Sequence, residues 1–146
     1  MAKTTKQSRP QKHDKYGKEV FRRALGDDFN PNPEAFQLGE NAGEIRIDGE
    51  INHKTSKQKI AVEIESRVSK QVRGAILDLY LHPHEKKLLV IINKYGNKNT
   101  PVQAQAIFKE LFKNKKNWHV LCLKGNGGSP CFREDIKLIM NVLIIK

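Results

Sequence analysis

Glu44-Ile45-Arg46-Ile47-Asp48-Gly49-Glu50-Ile51 and Lys59-Ile60-Ala61-Val62-Glu63-Ile64-Glu65 are the stretches that decide how this chain folds. In both, apolar residues alternate with mostly polar ones, the period of a strand with one buried face. His53-Lys54-Thr55-Ser56-Lys57-Gln58 between them is polar and short, which predicts an antiparallel hairpin. Side chains alternate along a strand, so Glu44, Arg46, Asp48 and Glu50 share one side of the first strand. The matching set on the second is Lys59, Ala61, Glu63, Glu65 and Arg67. If the apolar faces share one core, Asp48, Glu63 and Glu65 gather on the opposite face.

Towards the C-terminus, Ser69 stands as the cap of a helix whose Val72, Ala75, Ile76 and Leu79 follow helical spacing, and Pro83 closes it. Leu88-Leu89-Val90-Ile91-Ile92 is a continuous apolar run, expected of a strand covered on both faces. Strand, helix and strand together make a crossover unit. Thr100-Pro101-Val102-Gln103 reads as a cap, a first-turn proline and a capping-box Gln, opening a helix through Ala104, Ile107, Phe108 and Leu111. Trp118 to Leu123 is a further strand, and the pattern from Glu134 suits a final helix, with Val142 to Ile145 equally compatible with a strand. Towards the N-terminus, Ala35 to Leu38 gives a weak strand and Tyr16 to Leu25 a helix stopped by Gly26, while residues 1–15 read as a flexible basic arm. The organisation expected is that arm followed by a single domain over 16–146, with an α/β fold: a mixed central sheet flanked by helices.

At 146 residues the chain is long enough for one core without disulfides or a structural metal. Its 27 Lys and Arg against 16 Asp and Glu leave a formal charge of +11, which points to a polyanionic partner. Eight of those cations lie in the first 23 residues, against only Asp14 and Glu19. The sequence contains neither a membrane-length apolar run nor the hydrophobic stretch of a signal peptide, so a cytoplasmic protein is expected. Cys122 and Cys131 form no metal or redox spacing and read as packed thiols.

Asp48, Glu63 and Glu65 on one face repel one another unless solvated or neutralised by a cation, and oxygen ligands select a hard ion such as Mg²⁺. The competing reading is the wet face of an ordinary hairpin, which commonly alternates apolar and charged residues. Ile47-Asp48-Gly49, then Val62-Glu63-Ile64-Glu65, then a helix beginning Ser69-Lys70-Gln71-Val72-Arg73-Gly74 and the strand Leu88-Leu89-Val90-Ile91 resemble the PD-(D/E)xK superfamily of restriction-endonuclease-like nucleases. The resemblance covers about residues 16–93. It implies a restriction-endonuclease-like fold, with Asp48 and Glu63 as metal-binding catalytic acids and an acidic residue of the first helix, for which Glu19 is the nearest match, as a further metal ligand. Glu65 stands where the family usually has Lys. A minority of type II restriction enzymes are similar in having Glu there. Lys at that position would orient the attacking water, whereas Glu binds metal or acts as base. Lys59, Arg67 and Lys70 are then candidates for the missing cation. With Gln71 and Arg73 they are the expected DNA contacts.

The implied activity is metal-dependent hydrolysis of phosphodiester bonds in double-stranded DNA, with Mg²⁺ or Mn²⁺ as cofactor. The preferred role is a type II restriction endonuclease acting as a homodimer, since cutting both strands with one site per chain takes two chains. A Holliday-junction resolvase or DNA-repair nuclease is the nearest alternative, and a non-catalytic nucleic-acid-binding module the alternative from another class. Gly125-Asn126-Gly127-Gly128 lacks the Lys-Ser/Thr ending of a phosphate-binding loop, so no nucleotide cofactor is expected. His82 and His84 flank Pro83 without a third ligand nearby in sequence, and His119 reads as a partly buried structural residue.

Overall fold

The computed structural model describes residues 9–67, 69–92, 99–113 and 117–144. Seven strands and four helices are assigned among them: α1 (Arg9–Leu25), β1 (Phe29–Asn30), β2 (Phe36–Gly39), β3 (Gly43–Ile45), β4 (Gly49–His53), β5 (Gln58–Glu65), α2 (Lys70–Leu81), β6 (Lys86–Ile92), α3 (Asn99–Leu111), β7 (Trp118–Leu123) and α4 (Phe132–Ile144). The fold is α/β. A five-stranded sheet of order β1-β4-β5-β6-β7 is antiparallel from β1 to β5 and parallel from β5 to β7.

Alternation along the central strands distributes the core between two helical layers. Ile60, Val62 and Ile64 on β5 and Leu88, Val90 and Ile92 on β6 pack with Tyr16, Val20 and Phe21 of α1 and Ile139 and Leu143 of α4. Ala61, Leu89 and Ile91 face the other way, against Val72, Ala75, Ile76 and Leu79 of α2 and Ala104 and Phe108 of α3. β5 is therefore covered on both sides. The alternation read from the sequence as half-buried instead carries Glu63 and Glu65 under α2, where they are 7% and 5% exposed. That burial overturns the wet-face reading.

Two boundaries differ from expectation in ways that matter for function. The stretch 44–51 is not one strand. Ile45 and Ile47 pack into the α2/α3 layer while Ile51 belongs to the α1/α4 layer, which an unbroken strand does not allow for residues of one parity. The chain breaks at 46–48. Upstream of the break, β3 pairs with β2 in a separate two-stranded sheet, and downstream β4 joins β5 from Gly49↔Val62 onward. Gly49 is needed at the join, because a Cβ there would stand 2.5 Å from Phe29 Cε1.

The first helix starts at Arg9, so residues 9–15, expected in the flexible arm, are helical; residues 1–8 lie outside the described residues. Pro10 sits in its first turn, where a missing N–H breaks no helical bond. His13, Tyr16, Gly17, Val20 and Phe21 make its buried stripe. His13 Nδ1 accepts from Gly127 N at 3.0 Å, and Tyr16 Oη donates to Asp135 Oδ2 at 2.5 Å while accepting from Cys131 N at 2.9 Å. Asp135, fully buried, also accepts from Lys124 N and Gly125 N, so the loop after β7 is fastened between α1 and α4. Ser69 precedes α2 at φ +56° and makes no side-chain capping bond, contrary to the expected cap. α4 continues helically through Ile144.

Candidate active site

Beyond the pair Gly49↔Val62 the strands β4 and β5 part, and Asp48 occupies the fork. Its Oδ2 accepts a hydrogen bond from Ile64 N at 2.7 Å, taking the donor that a continued ladder would have satisfied. Glu63, one residue earlier on β5, is hydrogen-bonded to the Asp48 carboxyl. A carboxyl-to-carboxyl hydrogen bond requires a proton, and burial supplies the reason it is kept. Desolvation, followed by the negative charge of Asp48, pushes Glu63 up to about 10. Asp48 itself is raised by burial, against the lowering effect of its bonds from Ile64 N and Glu63.

Further carboxyl groups on both helical layers lie close enough to the fork to feel its charges. Asp14 of α1 is pushed up to about 7, first by burial and then by the charges of Asp48 and Glu65. Asp78 of α2 is raised by burial and by Asp48. The approach of α1 has a clear steric basis. At Gly17 the helix touches the sheet so closely that a Cβ would lie 2.8 Å from Ile64 Cγ2 and 3.1 Å from Ile92 Cδ1. Asp14 lies nearly one turn before this contact and Lys18 immediately after it, so both are brought to the end of β5 where Asp48 bonds Ile64.

Glu65 is held differently. Its Oε2 accepts from Ser66 N at 3.0 Å, Arg67 N at 2.9 Å and Arg67 Nε at 2.9 Å, and its Oε1 from Arg67 Nη2 at 3.0 Å. This is a bidentate, charge-assisted pair with its carboxylate side buried and its guanidinium half exposed. Arg67 and Lys18 are the cations that counter the raised pKa of Asp14. Lys18 also opposes that of Asp48.

The structure thus brings together Asp48, Glu63 and Glu65, as the sequence led us to expect, and adds Asp14 and Asp78. Glu19 does not join them. Arg22 donates to both its carboxylate oxygens, Arg23 bonds Oε1 at 3.2 Å, and the two hold its carboxyl well below the usual range on the opposite side of α1 from Asp14. Asp14, rather than Glu19, is the acid of α1 that senses the charges of Asp48 and Glu65. The sequence hides it because it lies in a polar stretch that reads as a flexible arm. Lys59 lies near the start of β5, paired with Asn52, four residues or roughly 13 Å along the strand from Glu63. That distance removes it from the cluster. Lys70, Gln71 and Arg73 are exposed on the first turns of α2, which leaves the sheet at the same end as the carboxylates. Arg73 also lines a cavity of about 300 Å³ with Ser69, Val72, Gln103, Ala106 and Ile107.

The donor chemistry suits a hard divalent cation. Asp14 Oδ1 and Glu63 Oε1 are buried and receive no hydrogen bond from an N–H or hydroxyl donor, so each has a lone pair to offer. Among the described residues no group of three or more His, Cys, Asp or Glu side chains stands as a ready ligand set. The fit is to an ion held by one or two carboxylates and completed by water and substrate oxygens, which is how Mg²⁺ is usually bound. A second polar group lies along β4 next to the fork: His84 Nε2 and Glu50 Oε2 are 2.6 Å apart, and burial depresses His82 to about 4. His119, expected to be partly buried, is exposed. Among the described residues no helix is long and apolar enough to cross a membrane. Set against protein-family profiles, curated proteins and solved structures, the chain gives no match in any of the three.

Proposed function

We propose that this chain is a metal-dependent endonuclease that hydrolyses phosphodiester bonds in double-stranded DNA, with Mg²⁺ or Mn²⁺ as its cofactor. The observation that carries this reading is Asp48 bound to Ile64 N at the fork between β4 and β5 with buried Glu63 beside it, electrostatically coupled to Asp14, Glu65 and Asp78, and with Glu63 driven to retain its proton by burial and by Asp48. Buried like charges are costly, and a protein that needed only a polar surface there has no reason to bury them. Strongly perturbed carboxyl groups clustered at one place are the usual mark of a working site.

Asp48 and Glu63 would hold the ion, which when bound supplies charge neutralisation to the phosphate oxygens. The protein's own groups do the rest. Asp14, titrating near 7, is poised to accept a proton from water at neutral pH. The Arg67 pair fixes Glu65 in one orientation, with its carboxylate buried beside the end of β5. Lys70, Gln71 and Arg73, exposed on the first turns of α2, would meet the phosphate backbone as it leaves the cleft, and the charge of +11 favours the encounter.

Within this activity the preferred role is a type II restriction endonuclease working as a homodimer, because one cluster per chain cuts one strand. Leu77, Tyr80 and Leu81 on α2 and Val102 and Leu111 on α3 leave apolar side chains exposed on the helices that line the cavity, a surface suited to a second copy. Incubation of the purified protein with plasmid and Mg²⁺ tests the proposal. Discrete fragments are expected, lost on chelation and in Asp48→Asn. Cleavage confined to four-way junctions would make the protein a junction resolvase instead. DNA binding without cleavage under either ion would make it a non-catalytic module.

A further inference from the structure

Phosphodiester hydrolysis places extra negative charge on the phosphate in the transition state, and a cleft lined by carboxylates opposes that charge unless a protein cation also touches the substrate. Three of the cations near the strand ends in sequence are poorly placed for this. Arg67 spends both Nε and Nη2 on Glu65. Lys59 lies towards the other end of β5, and Lys70 is exposed on the outside of α2.

Lys18 has the required placement. It follows Gly17, the residue at which α1 lies against Ile64, and Ile64 in turn carries the N–H that binds Asp48. Its side chain is half buried, and its ammonium donates to Pro31 O at 3.0 Å. An ammonium has three donors, so that anchor fixes its position and leaves two for another oxygen. Pro31 follows Asn30, which pairs with Glu50 at the start of β4, so the anchored ammonium lies near the fork, in agreement with its opposing effect on both Asp14 and Asp48.

We propose that Lys18 is a catalytic residue that contacts a non-bridging oxygen of the scissile phosphate, supplying from α1 a cation beside the carboxyl groups of the fork. This inference rests on the nuclease reading of the carboxylate cluster. Lys18 transfers no proton: the P–O bond formed to water and the P–O bond lost to the leaving hydroxyl balance without it, the water's proton going to a carboxylate and the leaving oxygen taking one from solvent. Its share is electrostatic and is expressed as phosphorus acquires its fifth oxygen.

Single-turnover cleavage of plasmid DNA by the full chain in Mg²⁺ tests the assignment, using Lys18→Met, which keeps the aliphatic stem, and Lys18→Ala. Both should lose about 100-fold to 1,000-fold in rate. Affinity for the same DNA, measured with Ca²⁺ in place of Mg²⁺, should change less than about threefold, since one phosphate contact among many is removed. Added methylammonium should restore part of the Lys18→Ala rate, which a merely structural lysine would not allow. Cleavage by Lys18→Met within threefold of the wild-type rate would overturn the proposal and leave the nuclease reading intact. A rate loss matched by an equal loss of affinity, or one that methylammonium does not relieve in a folded Lys18→Ala, would overturn it too. Absence of cleavage by the wild-type protein in both Mg²⁺ and Mn²⁺ would instead remove the nuclease reading itself.

Discussion

Glu63 holds its proton because the sheet face it occupies is covered by α2 and because Asp48 stands beside it, and this has a consequence for stability. Its pKa in the folded chain lies above the ordinary 4.5, so between about pH 4.5 and 10 the folded state binds a proton that the unfolded state has lost. The associated stability is fully present below the unfolded pKa and is lost as pH rises, by up to about 1.4 kcal/mol per unit. Urea unfolding at pH 6 and pH 9 should therefore show the protein weaker at the higher pH, with Glu63→Gln, which carries no titrating proton, less affected. Equal slopes in the two proteins would place the perturbed group elsewhere. Arg67→Ala strips Glu65 of its bidentate partner but leaves the bonds from Ser66 N and Arg67 N. Because the guanidinium is 49% exposed, a loss of about 1–2 kcal/mol is expected, measurable as a lower urea midpoint. The residue identities of Asp48, Glu63 and Glu65 were legible in the sequence from their alternation. Their burial was not, because alternation of polar with apolar residues is the same whether the polar face meets water or a helix.

The elements that build the site are α1 and the broken strand before β5. Gly17→Ala tests the first, since the added methyl group must push α1 away from Ile64 and Ile92. Overpacking of this kind costs about 1–3 kcal/mol. It should also displace Asp14 and Lys18 from the fork, so thermal unfolding and cleavage rate are expected to fall together; a variant with unchanged melting would show that α1 does not seat at that contact. The break at 46–48 was hidden because Ile45, Ile47 and Ile51 keep the parity of one strand. Only the transfer of Ile45 and Ile47 to the α2/α3 layer reveals that β3 belongs to a separate sheet. The start of α1 was hidden for a related reason. Residues 9–15 are polar in composition, and what orders them is long-range: His13 against Gly127, and Tyr16 against Asp135 and Cys131. The remaining strands and helices were legible because the runs around Leu88 to Ile92 and Trp118 to Leu123 are apolar and bounded by clear breaks.

For the molecule as a whole, the parallel half of the sheet and the helix-covered faces direct the carboxylates, the start of α2 and the loop after β7 to one end. Ligand sites in open α/β sheets lie at the carboxyl ends of parallel strands, so a polyanion crossing that end would meet all three. With a charge of +11 the binding should weaken steeply with salt. Lys70→Ala and Arg73→Ala should each reduce the slope of log affinity against log salt by about one if each contacts a phosphate. An unchanged slope in both would move the DNA path off α2. On the proposed function, the carboxyl groups at the fork of β4 and β5 would give up a proton to take a divalent cation. Calorimetric titration of the protein with Mn²⁺ at pH 7, in two buffers of different ionisation enthalpy, measures this directly. Saturable binding with release of about one proton or more is expected, abolished in Asp48→Asn and with markedly less proton release in Glu63→Gln. Absence of saturable binding, or binding that survives Asp48→Asn unchanged, would contradict it.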